Sequence, residues 1–417
     1  MQRKFPLYAL ITANIISNIG NQLTLLAVPW FVLETTGSAS KAGITGFFSM
    51  LPAILATFFS GPIIDRVGYK RVSILSDIMS GITVALIPLL HHTVGLSFWQ
   101  LQVLVFMSAL LDAPGSTARF SIVPELSQAA EIPLERTNAV RQLANQLAIL
   151  ASPLLGGVLV TRIGASNVLW VDAFTFLVSA VTIAIGIPAR LVPAPIKTEE
   201  RNSLTAYVRD LKAGFRFVRT DRLLASMFIV QVLLNFLVSP LEGVLLPAYC
   251  KQVLNSPTAL GAILSGIGAG SIVGTALYAT VAPRFSRRVI YLSAWVLMAL
   301  LQLGMSFLPP LPYMITLAVL LGVAYGPINP IIQTLQQERV PTNMRARVFG
   351  MLAALTDMAM PLGPVVAGFA IETIGIERTY LVMAIIYLIV VLTQFFNRRL
   401  REMDRSPGTI ALQEFRS

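Results

Sequence analysis

The sequence predicts an all-α integral membrane protein with twelve transmembrane helices, arranged as two pseudo-symmetric bundles of six. Three observations support this prediction. Of the 417 residues, 55% are hydrophobic and only 12% are charged, whereas an average soluble domain has about 25% charged residues. Apolar runs of membrane length recur along the whole chain, and the second half repeats features of the first.

The individual helices follow from uncharged or nearly uncharged runs. Each run is long enough to cross about 30 Å of hydrocarbon at 1.5 Å per helical residue. Residues 289–337 carry no charge, but the prolines within Leu308–Pro312 divide them into two helices, because proline interrupts a helix. The predicted spans are 6–33, 42–64, 73–91, 97–118, 138–161, 166–188, 223–249, 258–282, 289–307, 312–336, 347–371 and 379–397.

These spans divide the chain into four parts. We expect an N-terminal six-helix bundle at 1–188, a cytoplasmic linker at 189–222, a C-terminal six-helix bundle at 223–397 and a cytoplasmic tail at 398–417. From Leu204 onward, apolar residues recur at helical spacing among basic ones, which predicts an amphipathic helix. This helix either lies on the inner leaflet or simply joins the two bundles in solvent.

An internal repeat supports two related bundles. One constant offset along the chain aligns Pro29 with Pro247, Ser38 with Ser256 and Gly43 with Gly261. A slightly shorter offset aligns Pro153 with Pro364, Gly157 with Gly368 and Gly164 with Gly375. Two halves in the same orientation, joined by a loop, are typical of transporters built from parallel repeats.

The charges predict the orientation in the membrane. With the N-terminus inside, every Lys and Arg except Lys41, Arg162, Lys251 and Arg378 falls on the inner side. An excess of Lys and Arg marks cytoplasmic segments, so we expect both termini in the cytoplasm. The same asymmetry accounts for the net charge of +11 without nucleic acid as a partner.

Several function classes are disfavoured. Cys250 is the only cysteine, so an internal disulfide framework is excluded. The chain has no Gly-x-x-x-x-Gly-Lys-[Ser/Thr] motif and no recognisable nucleophile–base set, so we expect neither an ATPase nor another enzyme. We place His91 and His92 in an outer loop, where they are too few to hold a metal ion. No cofactor is expected.

The connection after the second span has an ordered set of charges and glycines. A charged hairpin this short cannot lie in hydrocarbon, so it marks a membrane face. The pattern resembles the signature loop between helices 2 and 3 of the major facilitator superfamily, although Tyr69 replaces a residue that is usually basic there. The resemblance implies a transporter working by alternating access, with a conformational gate formed by Gly61, Asp65, Arg66, Gly68, Lys70 and Arg71.

The fifth span contains Ser152-Pro-Leu-Leu-Gly-Gly157, which resembles the antiporter motif of the same superfamily. Pro153, Gly156 and Gly157 match the motif, while Ser152 replaces its first glycine. The resemblance implies efflux by exchange. Ordinary close packing between helices would also use such small residues.

Two further stretches resemble the macrolide-efflux and siderophore-export branch of the superfamily: Ala118–Leu126 followed by Asn138–Gln142, and Gln337–Pro341 with Arg345–Val348. This implies proton-driven efflux of hydrophobic drug-like or macrolide-like molecules, and with it antibiotic resistance. The alternatives are export of a siderophore, import or symport of a metabolite or lipid, and a non-transporting membrane receptor or scaffold.

Ionisable residues inside a membrane are costly and are candidates for function. A carboxyl group removed from water can take up and release a proton near neutral pH. The proton-coupling candidates are Asp112, Glu242 and Asp357. Asp77, Arg119 and Arg141 are candidates for a charge network, and Asp172 remains ambiguous. Static ion pairs would explain these residues equally well.

Amide side chains in the spans are candidates for lining a central cavity, since lipid cannot satisfy their hydrogen bonds. The candidates are Asn14, Asn18, Asn21, Gln231, Asn235, Asn329 and Gln333. Bonds from helix to helix are the alternative. We expect the partners to be a small hydrophobic substrate, protons and the lipid bilayer, and the protein to be a monomer in the cell's inner membrane.

Overall fold

The computed structural model describes residues 3–191, 204–281, 284–341 and 344–404. This part of the chain is helical, with short 3-10 turns at Ala189–Leu191, Gln394–Phe396 and Arg398–Asp404. Its α-helices are α1 (Phe5–Thr36), α2 (Ala39–Val67), α3 (Tyr69–Thr93), α4 (Phe98–Ser121), α5 (Val123–Ala129), α6 (Leu134–Ile163), α7 (Ala165–Gly186), α8 (Leu204–Thr220), α9 (Arg222–Pro240), α10 (Leu246–Gln252), α11 (Pro257–Val281), α12 (Arg287–Met305), α13 (Leu311–Tyr325), α14 (Ile328–Arg339), α15 (Arg345–Ala359), α16 (Leu362–Ile374) and α17 (Ile376–Thr393).

Twelve segments of this helical structure are long and apolar enough to cross a membrane, which confirms the number of spans. Three C-terminal spans, each predicted as one helix, are interrupted. A π-helical turn, Leu241–Leu245, follows Pro240 between α9 and α10. Breaks at Pro327 and Pro361 separate α13 from α14 and α15 from α16. Proline has no N–H to donate and its ring clashes with the preceding turn, so each break follows from local sequence.

The expected loop position of His91 and His92 is wrong. Both lie in the last turn of α3, which extends to Thr93, two residues before Gly95. The His91 ring packs edge-on against Phe31 of α1, with 4.9 Å between ring centroids. Pro88 lies inside α3 without ending it, and the next glycine along the chain, Gly95, comes only after Thr93.

One compact unit contains α1 to α7 together with Leu246–Ser265. In it α1 packs against α2, α6 and α7, while α3 packs against α4 and α7. An apolar cluster closes the end of this unit where α1 begins and α7 ends; it includes Leu7, Leu10, Ile122, Leu126 and Ile183.

The second compact unit contains residues 205–245 and those from Gly266 onward. Here α9 packs against α15 and α16, and α12 packs against α13 and α17. Val218 at the end of α8 joins an apolar cluster with Leu224, Val340, Val348 and Met351. In the predicted tail, residues 398–404 form a 3-10 turn with Leu400 and Met403 buried. Residues 192–203 of the linker and 405–417 of the tail lie outside the described residues.

The repeated glycines Gly164 and Gly375 occupy equivalent positions. Gly164 ends α6 with φ 85°, and Gly375 ends α16 with φ 83°. Only glycine adopts such backbone angles without strain. The internal repeat seen in the sequence therefore corresponds to the same helix ending in both halves.

Candidate functional site

A buried ion pair joins α3 to α4. Arg119 donates from Nη1 to Oδ1 of Asp77 at 2.6 Å, and the two side chains are 3% and 0% exposed. Ser179 of α7 donates to the other carboxylate oxygen, also at 2.6 Å. A buried pair of this kind is costly to break, because removing one partner leaves an isolated charge. Three helices are thereby held at one polar centre.

The same arginine contacts a second acid. Nη2 of Arg119 lies 3.5 Å from Oδ1 of Asp112, whose side chain is 18% exposed. Asn21 of α1 donates from Nδ2 to Oδ2 of Asp112 at 3.1 Å. One guanidinium thus serves two carboxylates. When both are ionised, one negative charge is left over, and Asp112 is the more accessible of the two acids.

A third acid contacts α1 at another position along that helix. Asp172 of α7 is 0% exposed, and it accepts hydrogen bonds from Thr24 Oγ1 at 2.5 Å and Thr175 Oγ1 at 3.2 Å. A Cβ added at Gly20 would overlap both Asp172 and Thr175. No basic side chain in the described part of the chain forms an ion pair with Asp172. The role of Asp172 is ambiguous from the sequence. Gly20 and Thr24 lie four residues apart on α1 and therefore share one helix face, which is the face that contacts Asp172.

Arg141, also a candidate for the charge network, lies apart from it. Its guanidinium stacks on the Phe120 ring at 4.9 Å from the centroid, a cation–π contact. Among the described residues it forms no ion pair. The structure therefore brings together Asp77, Arg119 and Asp112, whereas Arg141 of α6 contacts Phe120 at the end of α4 instead.

The charged loop lies between α2 and α3. Gly68 joins the two helices with φ 92°, and its N–H donates to Ile64 at 2.8 Å. Lys70 donates from Nζ to the carbonyl of Ala184 in the last turn of α7, at 2.8 Å. A cation is favourable there, because helix carbonyls at a C-terminus carry partial negative charge.

The other members of the loop motif differ in their surroundings. Arg66 and Arg71 are exposed, and Asp65 is half-buried. A Cβ added at Gly61 would meet no atom within 4 Å. Close packing in this conformation therefore does not require glycine at position 61.

The antiporter-like motif lies where α6 approaches the start of α11. A Cβ added at Gly157 would lie 2.5 Å from the carbonyl oxygen of Pro257, and one added at Gly261 would overlap the carbonyl of Pro153. The Leu154 N–H donates to Ser265 Oγ at 3.1 Å. The two backbones touch, so glycine is sterically required at both positions.

Gly156 of the same motif faces another helix. A Cβ added there would lie 3.2 Å from Cδ2 of Leu23 in α1. Gly156 and Gly157 are adjacent in α6, and they allow close approach of α1 and α11, respectively.

In the second unit, an acid occupies the π-helical turn. The Glu242 side chain is exposed. It interacts electrostatically with Tyr325 of α13, and Asn329 of α14 donates to the Tyr325 hydroxyl at 3.1 Å. π-helical turns inside α-helices are frequent at functional sites. An acid, a phenol and an amide are therefore grouped here.

Asp357 is exposed on α15. Neither it nor Glu242 forms an ion pair with a described residue. The structure does not join these two acids to each other by a hydrogen bond.

The remaining amide candidates differ in their hydrogen bonds to other described residues. Asn18 donates to Asn145 of α6, and Gln231 donates to Asn235 within α9 at 3.0 Å. Gln231 also lines a recess of about 30 Å³, room for about one water molecule. Asn14 is half-buried and Gln333 is exposed. Helix-to-helix bonding thus involves Asn18, Asn21 and Asn329.

Comparison with known proteins adds the family. A family described as transmembrane secretion effectors matches residues 3–415. The chain is 33% identical over 406 residues to the multidrug efflux pump Tap of Mycolicibacterium fortuitum, covering 96% of this chain and 98% of that protein. It is 19% identical over 406 residues to macrolide efflux protein A of Streptococcus pyogenes, with coverage of 96% and 98%.

The fold is shared with a solved transporter. The crystal structure of the nucleoside transporter NupG has a TM-score of 0.74 at 14% identity, covering 97% of this chain and 99% of that one. At this identity the likeness concerns the fold alone. With residues 3–415 matched, the chain belongs to the transmembrane secretion effectors of the major facilitator superfamily, and so to a family of transporters rather than enzymes.

Proposed function

We propose that this protein exports hydrophobic, drug-like small molecules across the cell's inner membrane in exchange for protons, by alternating access of its substrate site. The observation that carries the proposal is the pair of carboxylates on Arg119. The arrangement holds one more negative charge than positive charge, and Asp112 is its accessible member. The names of the relatives, a multidrug and a macrolide efflux protein, support the direction and the class of substrate.

The proposed coupling step is a change of charge. When Asp112 is ionised, Arg119 forms ion pairs with both acids. When Asp112 is protonated, Arg119 pairs with Asp77 alone. The change of charge also affects α1, because the Asn21 amide of that helix donates a hydrogen bond to Asp112. Glu242 and Asp357 remain candidates for a second proton site, and Glu242 is favoured by its place in the π-helical turn near Tyr325.

The proposed topology places both termini in the cytoplasm, with a monomer as the working unit. The distribution of Lys and Arg supports this orientation. The substrate, protons and surrounding lipid are then its partners.

A reconstituted transport assay tests the proposal. The purified protein is reconstituted into liposomes that are loaded with ethidium or a labelled macrolide, and an imposed pH gradient drives transport. We expect export that a protonophore abolishes. The Asp112→Asn variant should lose its response to the gradient, because a neutral amide cannot exchange a proton.

Glu135→Gln is the matched control, since Glu135 is an exposed acid at the start of α6. It should respond to the gradient as the natural protein does. Export that is indifferent to the protonophore would contradict proton coupling, and gradient-driven accumulation in the opposite direction would favour an importer. An unimpaired Asp112→Asn variant would remove Asp112 from the mechanism.

A further inference from the structure

A groove lies between α8 and α15 in the second unit. Its volume is about 720 Å³, and it is lined by Lys212, Phe215, Arg216, Arg219, Thr220, Met351 and Leu355. No carboxylate is among these described lining residues. The described lining residues include neither Glu242 nor any member of the polar network of α3, α4 and α7.

The groove has a cationic rim and an apolar floor. Lys212, Arg216 and Arg219 are all exposed, and the Arg219 guanidinium stacks over the Phe215 ring at 5.9 Å from its centroid. Met351 is 1% exposed and belongs to the apolar cluster of this unit. Arginine side chains present several donors in a planar fork that matches phosphate oxygens.

The position of the groove in the chain places it at a membrane boundary. The candidate span that begins at Arg222 follows α8 after one residue, and Met351 and Leu355 lie in the first two turns of the span Val348–Ile374. The rim is therefore at the depth of lipid headgroups, while the floor is at the depth of acyl chains. A ligand with a negative head and an apolar tail would match both parts.

The end of α8 is fixed against its neighbours. Val218 is 2% exposed and packs with Leu224, Val348 and Met351. Phe215, one turn earlier, is 46% exposed. An amphipathic helix that exposes a phenylalanine beside arginines at a membrane boundary is typical of lipid-contacting helices.

We propose that this groove binds an anionic phospholipid, with its phosphate at Lys212, Arg216 and Arg219 and an acyl chain along Met351 and Leu355. The proposal goes beyond transport and requires only the membrane-spanning fold. Charge complementarity selects an anionic lipid over a zwitterionic one, because the second headgroup carries its own cation to repel the rim.

Lipid binding to the full-length protein in detergent tests the site. Native mass spectrometry would compare dioleoylphosphatidylglycerol with dioleoylphosphatidylcholine, which have the same acyl chains. We expect dioleoylphosphatidylglycerol, the anionic lipid, to bind more tightly. The variant Lys212→Gln/Arg216→Gln/Arg219→Gln should weaken that binding about fivefold for each base removed, or about a hundredfold in all.

The matched control is Arg190→Gln/Arg284→Gln/Arg398→Gln, which removes three exposed bases outside the groove. It has the same net charge as the groove variant and should keep the affinity. Equal affinity for both lipids, unchanged affinity in the groove variant, or equal losses in the two variants would each overturn the proposal. Glycerol 3-phosphate that displaced the lipid at equal concentration would overturn it in favour of a soluble phosphate.

Discussion

At the scale of single residues, the environment of each charge separates side chains that look alike in the sequence. Arg119 and Arg141 are both bases near the ends of predicted spans. One is buried between two carboxylates, and the other lies on an aromatic ring. Their contributions to stability should therefore differ widely.

We predict that Arg119→Gln destabilises the protein by about 3–5 kcal/mol, because it leaves Asp77 as an unpaired buried charge. Arg141→Gln is the control and should cost about 0.5–1 kcal/mol, the value of one cation–π contact. Chemical unfolding of the purified variants measures both. A double variant, Asp77→Asn with Arg119→Gln, should recover part of the loss, since no isolated charge remains. Equal losses in the two single variants would contradict this account.

At the scale of helices, glycines have two different functions. Along α11 and α13 they allow backbones to touch: a Cβ added at Gly322 would overlap the carbonyl of Ile267 and lie 2.8 Å from the Ser271 nitrogen. Gly61 in α2 has open space in front of it. Packing explains the first glycine and not the second.

We predict opposite effects for alanine at these two positions. Gly322→Ala should lower stability by about 1–3 kcal/mol, because the helices must separate or distort. Gly61→Ala should preserve stability or raise it by up to about 1 kcal/mol, since alanine is the better helix former. Thermal unfolding of both variants checks this. A Gly61→Ala variant that was stable but inactive would assign the glycine to a conformational step; one that unfolded early would show a contact absent from this structure.

At the scale of the whole molecule, residues 398–404 pack against helices α9 and α12 of the second unit. Arg339 at the end of α14 lies 3.0 Å from Asp221, which caps α9, and 3.4 Å from Glu402. Leu400 and Met403 are 1% and 0% exposed. Three distant segments of the sequence meet at this arginine.

We predict that deleting residues 398–417 destabilises the protein by several kcal/mol, because it exposes the surfaces that Leu400 and Met403 cover, at about 1.5–3 kcal/mol for each side chain. Deleting only residues 405–417 is the control and should have little effect. Melting temperatures of the two truncated proteins in detergent measure the difference. Similar melting temperatures would mean that residues 398–404 add no stability.

The sequence by itself determined the fold class, the number of spans, the internal repeat and the family. These depend on hydropathy, on proline and glycine positions and on short motifs, all of which act along the chain. It also singled out Asp77, Asp112 and Arg119 as charged groups inside spans. Periodicity assigns a residue to a helix and a face, and the cost of burying a charge makes each such residue conspicuous.

Only the tertiary structure decided which of these groups meet. Asp77 pairs with Arg119 across 42 residues of sequence, and Thr24 bonds to Asp172 across 148. Such contacts depend on the rotation and depth of each helix, which are set by packing over many neighbours rather than by local sequence. The grouping of Glu242 with Tyr325 and Asn329 and the groove beside α8 follow from that packing as well.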